Sequence, residues 1–298
     1  MIFGRAVLAV VITGCALSAC ASGDRSATSS TVTTPPAVTT SPGTVGVATS
    51  TAPVSGTPST RGTGATAAPS WLGRRVLPRA GGRYARARQT PPELRVRQII
   101  TVDELPPPVD DRFHGSVDAV PPDVLARSTW SAACPVAAAD LRYLRVSFWG
   151  FDARTHTGEL LVHRRVAADV VTAFHRLFDA RFPIERMRIT TVAERDAEPT
   201  GDGNTTGAFV CRPAVGSTRW SEHASGTALD INPFQNPYVK GDLVLPELAS
   251  AYTRRDRVRP GMIRAGGPVV AAFRALGWTW GGDYRSCRDY MHFSPSGR

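Results

Sequence analysis

The sequence predicts an α+β head behind a disordered tether, with a small, mostly antiparallel sheet and flanking helices. Three observations carry this. Short strand-like runs alternate with helix-period stripes from about residue 111 to residue 298, no internal repeat interrupts them, and the stretch before residue 70 lacks the large apolar side chains that a core requires.

Residues 1 to 20 read as an export signal: Arg5 supplies the positive start, an apolar run follows from Ala6 to Ile12, and "LSAC" closes it. Leu17, Ser18, Ala19 and Cys20 match the box that bacterial lipoprotein enzymes recognise. Cys20 is therefore expected to be diacylated and to become the new N-terminus, and two acyl chains hold a protein to a bilayer stably. The expected location is extracytoplasmic, lipid-anchored to the outer face of a bacterial cell membrane and within the cell wall.

Residues 21 to 70 are almost entirely Ser, Thr, Ala, Gly, Pro and Val, a composition that cannot offset its ordering entropy and is expected to form a disordered tether. A flexible coil of about 50 residues reaches on the order of 40 Å. Residues 71 to 110 read as an Arg-rich linker. Up to residue 100 they carry eight arginines against Glu93 alone, a local charge of about +7 out of the +10 of the whole chain. Anionic lipid heads or anionic wall polymers are the expected partners of such a run, and nucleic acid is not expected behind an export signal.

From residue 111 to 298 the chain is long enough for one domain with its own core. "LRYLRVSFWGF" (141 to 151) and "GELLVH" (158 to 163) predict a hairpin, with Leu144, Val146 and Phe148 alternating toward a buried face. Val162, Val166, Val170, Phe174, Leu177, Phe178 and Phe182 recur at three- and four-residue steps, the stripe of an amphipathic helix ended near Pro183. "MRITTV" (187 to 192) reads as a strand and Gly201 to Gly207 as a loop. "TALDIN" (227 to 232) alternates so that Asp230 points away from the apolar face. "GGPVVAAFRALG" places Pro268 at a helix start and Gly277 past its end, and "WTWGG" and "DYMHF" read as two short strands. Trp278 and Trp280 are expected in the core rather than in a groove wall. Cys134, Cys211 and Cys287 allow one disulfide and one leftover thiol, with all three pairings open. No further apolar run approaches the length of a membrane span.

The chemistry lies in "SEHASGTALDIN" (221 to 232) and the late "DYMHF". A hydrolytic zinc takes three protein ligands, from neutral imidazoles and carboxylates, and leaves a fourth position open. His223 and Asp230 can supply two ligands if the chain turns at Gly226, and His292 can supply the third. Asp289 stands three residues before His292, where it could take a proton from the attacking water and pass it to a leaving amine. In an extended strand, positions 289 and 292 face opposite sides, so a shared pocket requires a turn between them or a strand that begins after Asp289.

Ser221, His223, Gly226, Ala228 and Asp230 reproduce S-x-H-x-x-G-x-A-x-D, and Asp289 with His292 reproduces a terminal acid-x-x-H. Over roughly residues 130 to 298 the chain resembles the zinc D-Ala-D-Ala carboxypeptidase family of the VanY and VanX type, especially its L-alanyl-D-glutamate peptidase branch. The resemblance implies one Zn2+ held by His223, Asp230 and His292, with Asp289 as general base. It also implies an arginine that steadies the oxyanion, for which Arg212 stands in the right order, with Arg195 and Arg219 as competitors. Peptidoglycan stem peptides are the implied substrates, cut between L-Ala and D-Glu or relieved of terminal D-Ala. The signalling domain of hedgehog proteins resembles the same family in fold, so a catalytically silent binding module is the alternative. Ser294 departs from relatives that often carry an acid there. "NPFQNPYV" (232 to 239) is expected to form a rigid loop, either structural or lining the groove.

Overall fold

The computed structural model describes residues 64–80 and 84–298. The expected export signal, Cys20 and most of the tether lie outside the described residues, as does Arg83. Among the described residues no helix is long and apolar enough to cross a membrane.

The architecture is α+β, with the antiparallel pairing divided among three small sheets instead of one. Strand β1 (Gly115–Ala119) edges the hairpin of β2 (Leu141–Trp149) and β3 (Thr155–His163), paired from Leu141 opposite His163 to Trp149 opposite Thr155. Helix α1 (Pro122–Arg127) leads from β1 toward β2. Leu144, Val146 and Phe148 are all buried, as their alternation requires. Against this sheet lies α2 (Ala167–Asp179), which buries Val170, Ala173, Phe174, Leu177 and Phe178. The helix is shorter than the apolar stripe suggested. Val162 belongs to β3, Val166 to a 3₁₀ turn, and Arg181, at φ 48°, ends the helical path before Phe182 and Pro183.

The run expected as a strand from 187 to 192 pairs only at β4 (Arg186–Met187), in parallel with β5 (Thr205–Thr206) inside the expected loop. Thr191 and Glu194 then form a reciprocal capping box that opens helix α3 (Val192–Asp196). Four backbone and side-chain groups satisfied locally win over continued extension.

The remaining strands carry the cleft. β6 (Leu229–Asp230) pairs with β11 (His292–Ser294), which also pairs with β9 (Thr279–Trp280). β7 (Tyr238–Lys240) pairs with β8 (Leu243–Leu245) and with β10 (Arg288–Asp289). Helix α4 (Pro268–Arg274) starts on its proline, and Gly277 past its end has φ 81°. Trp278 and Trp280 sit in the main core with Phe273 and Phe293, so they do not wall the groove. Within "NPFQNPYV", Asn232, Phe234, Gln235 and Asn236 are fully buried and structural, whereas Tyr238 lines the cleft.

Residues 71 to 110 are not a free linker. Leu77, Ala85, Leu94 and Ile99 form a second cluster with Phe234, Leu248, Tyr252 and Met262. Arg97, 2% exposed, pairs bidentately with Glu185 at 2.6 and 2.7 Å and donates to the Asp202 carbonyl. The end of the expected tether joins in, since Thr66 and Gln98 to Ile100 exchange backbone hydrogen bonds. Apolar residues set between the arginines dip inward while Arg86, Arg88 and Arg95 stay exposed, so the charge count concealed a packed strap. Of the three candidate cysteines, Cys134 and Cys211 are bonded to each other, and Cys287 is not a free thiol.

Candidate metal centre

The spacing of "SEHASGTALDIN" has a local mechanical reason. The Ser221 hydroxyl caps the short 3₁₀ turn Glu222–Ser225 by accepting from Ala224 N, and it donates to the Arg212 carbonyl at 3.0 Å. His223 stands on this turn. Gly226 ends it in the left-handed region at φ 69°, where a Cβ would lie 2.7 Å from the His163 backbone nitrogen. Ala228 and Leu229 then enter the core and Asp230 emerges at the cleft.

Opposite Asp230, strand β11 places His292 in direct register. A turn at residues 290–291 separates β10 from β11, and this turn lets Asp289 and His292 line one cleft of about 150 Å³.

Each imidazole is pinned at its far nitrogen. His223 Nδ1 donates to the Ala208 carbonyl at 2.6 Å, and His292 Nε2 donates to the backbone oxygen of Arg298 at 2.9 Å, because neither a carbonyl nor a carboxylate oxygen can donate. The near nitrogens, His223 Nε2 and His292 Nδ1, therefore point their lone pairs inward, 3.2 Å apart, and each lies 3.2 Å from an Asp230 oxygen. Two facing lone pairs beside a carboxylate repel one another unless a proton or a cation lies among them. Separations of this size also match the roughly 3.3 Å edge of a tetrahedron with ligands at about 2.0–2.1 Å. The donor set fits a zinc-like cation with a position left open toward the cleft. Among the described residues, His223, Asp230 and His292 are the one group of three or more such side chains that could hold a metal.

The electrostatics follow from this crowding. Burial disfavours the Asp230 charge, yet the charges and hydrogen bonds of His223 and His292 hold its carboxyl far below the usual range. Burial also disfavours a charged His292, but Asp230 outweighs it and pushes His292 up to about 9. Asp289 goes the other way: burial raises its carboxyl to about 7, with Asp230 adding to the push and His292 and Arg212 pulling against it. Its Oδ1 is sealed from solvent and has no hydrogen-bond partner. The carboxyl itself lines the cleft, where a carboxylate held without a fixed partner can take up a proton.

Arg212 lines the same cleft, and its guanidinium donates to the Pro213 carbonyl at 3.2 Å. Arg195 instead forks onto Asp196 at 2.8 and 2.7 Å, and neither it nor Arg219 lines the cleft. Sequence reasoning missed Trp220, Glu222, Tyr284 and Arg298, which also line it, whereas Tyr238 comes from the loop that was offered as a groove wall. Burial and the Asp289 charge push the Tyr238 phenol up to about 12 and raise Tyr284 further, so both stay protonated donors. No periodicity or motif marks these residues; only the adjacency of Glu222 to His223 was a signal.

The α+β head thus opens a His–Asp–His group that could hold a metal into a cleft shared with a carboxylate and an arginine, an arrangement compatible with hydrolytic chemistry. Residues 215–295 match the family model for D-alanyl-D-alanine carboxypeptidases, a span that contains His223, Asp230, Asp289 and His292 and begins just after Arg212. The match supports that peptidase family and a peptidase role. No curated protein and no solved structure matches the chain.

Proposed function

We propose that the chain is an exported, membrane-tethered zinc peptidase that hydrolyses peptide bonds in peptidoglycan stem peptides. The observation that carries the reading is the inward convergence of His223 Nε2, His292 Nδ1 and Asp230, with both far nitrogens spent on backbone oxygens. His223, Asp230 and His292 would hold the ion, and zinc when bound supplies Lewis-acid polarisation and a more acidic water.

The protein's own groups do the rest. Asp289 takes the proton of the attacking water and returns it to the nitrogen of the departing amine as the C–N bond breaks. Arg212 faces the negative charge that develops on the carbonyl oxygen. No covalent enzyme intermediate is needed, so products appear without a burst. Cys20, as a lipid anchor, and the exposed arginines of the strap would hold the head near anionic lipid or wall polymers.

Digestion of purified peptidoglycan by the zinc-loaded protein tests the reading and assigns the bond. New amino termini on D-Glu identify an endopeptidase, and free D-Ala identifies a carboxypeptidase. Neither product from protein with bound zinc would leave the silent binding module in place.

A further inference from the structure

We propose that Ser294 and the backbone of Arg298 form a clasp that fixes the tautomer and orientation of His292 as a metal ligand, and that the Arg298 side chain ties this clasp to the turn bearing His223. The inference rests on the metal reading of the site.

The clasp is a closed set of hydrogen bonds. Ser294 lies two residues beyond His292 on β11, hence on the same face of the strand, and its side chain is fully buried. Its hydroxyl donates to the backbone oxygen of Arg298 at 2.9 Å and accepts from the Arg298 backbone nitrogen at 3.2 Å. The chain reverses between them with Gly297 in the left-handed region at φ 71°. That reversal holds the backbone oxygen of Arg298 2.9 Å from His292 Nε2, so the same oxygen accepts from both the serine and the histidine.

The consequence for His292 is direct. With its proton held on Nε2, the lone pair of Nδ1 must face His223 and Asp230. An acid at position 294 could accept from Arg298 N but, ionised, could not donate to the backbone oxygen of residue 298, so serine does here what a carboxylate cannot. The Arg298 guanidinium reaches Glu222 at 3.7 Å, and Glu222 in turn accepts from Thr227 at 3.0 Å. Residue 298 thus touches both elements that carry histidine ligands. Ser294 and Arg298 are positioning residues, since neither is among the converging donors.

The test uses the full chain, with zinc affinity read by competition against a chromophoric chelator. Three variants are compared with the unchanged chain: Ser294→Ala, a chain ended at Pro295, and Arg298→Ala, which keeps the backbone oxygen. Removal of an outer-shell partner of this kind is expected to weaken zinc by about 10–100-fold in the first two. Arg298→Ala is expected to stay within about threefold, because the ion pair it removes is exposed. The visible spectrum of the cobalt-substituted protein should shift in Ser294→Ala while the melting temperature of the metal-free form stays near that of the unchanged chain, a pattern that a merely structural serine does not produce. If Ser294→Ala fails to fold, the shortened chain carries the same comparison. Zinc bound equally tightly by the unchanged chain, the serine variant and the shortened chain overturns the clasp and leaves the metal reading standing. No zinc on the unchanged chain removes both.

Discussion

Asp289 is the residue on which turnover should depend most. Its carboxyl is raised to about 7 by burial in the metal-free protein, and a cation at the neighbouring donors would pull it down, so the acid limb of kcat/KM should lie below neutrality. Asp289→Asn is expected to lose about 10²–10⁴ in kcat and to keep its zinc, as measured by turnover beside metal analysis. Arg212→Ala should cost about 10²-fold with zinc again unchanged. The same groups set the stability of the chelator-treated protein. A carboxyl raised from 3.8 to about 7 binds a proton that the unfolded chain has already released, so it contributes stability that falls as pH rises through that window. His292, raised from 6.5 to about 9, contributes stability that is full below the lower value and lost as pH rises through the upper one. Both act in one direction, and thermal melts of chelated protein should decline steadily from about pH 5 to about pH 9. A profile that rises over that range would contradict these assignments.

At the scale of elements, the turn between the first two candidate ligands is the most vulnerable joint. Gly226→Ala forces a Cβ against the His163 backbone in a left-handed conformation, and urea denaturation should show a loss of about 1–3 kcal/mol. Phe174→Ala, in the middle of α2, should cost about 3–5 kcal/mol by the same measurement. These elements were legible in the sequence for different reasons. The β2–β3 hairpin and α2 announce themselves by periodicity, because each buries one face of a regular repeat. His223, Asp230 and His292 were legible only through a spaced pattern, since β6 and β11 are too short to show a period. The strand expected over 187 to 192 failed because Thr191 and Glu194 offered the backbone a better local bargain. Asp289 and His292 presented a conflict that extended geometry could not resolve, and a two-residue turn resolved it.

Over the whole molecule, the strap of residues 64–80 and 84–110 belongs to the folded unit. Arg97→Ala leaves Glu185 buried with only Asn204 as a side-chain donor, and a loss of about 3–5 kcal/mol is expected in equilibrium unfolding. A chain begun at residue 111 strips Leu77, Ala85, Leu94 and Ile99 from their cluster and should melt well below one begun at residue 64. Equal melting temperatures would make the strap dispensable. This part was illegible because each arginine was read as a solvated charge, and nothing in its spacing shows that Arg97 alone turns inward to meet a carboxylate 88 residues away.

The bond between Cys134 and Cys211 sits one residue before Arg212, and Cys211 N is also held by the Thr129 hydroxyl at 2.9 Å. The arm that presents Arg212, the proposed oxyanion group, is therefore anchored by chemistry that only an oxidising compartment completes. Protein made in a reducing cytosol would lack this bond and the one at Cys287, two residues before Asp289, and should lose turnover through both arms of the cleft. Reoxidation of such a preparation should restore turnover, so a host's redox state, as well as its zinc supply, would decide whether a recombinant sample is judged active.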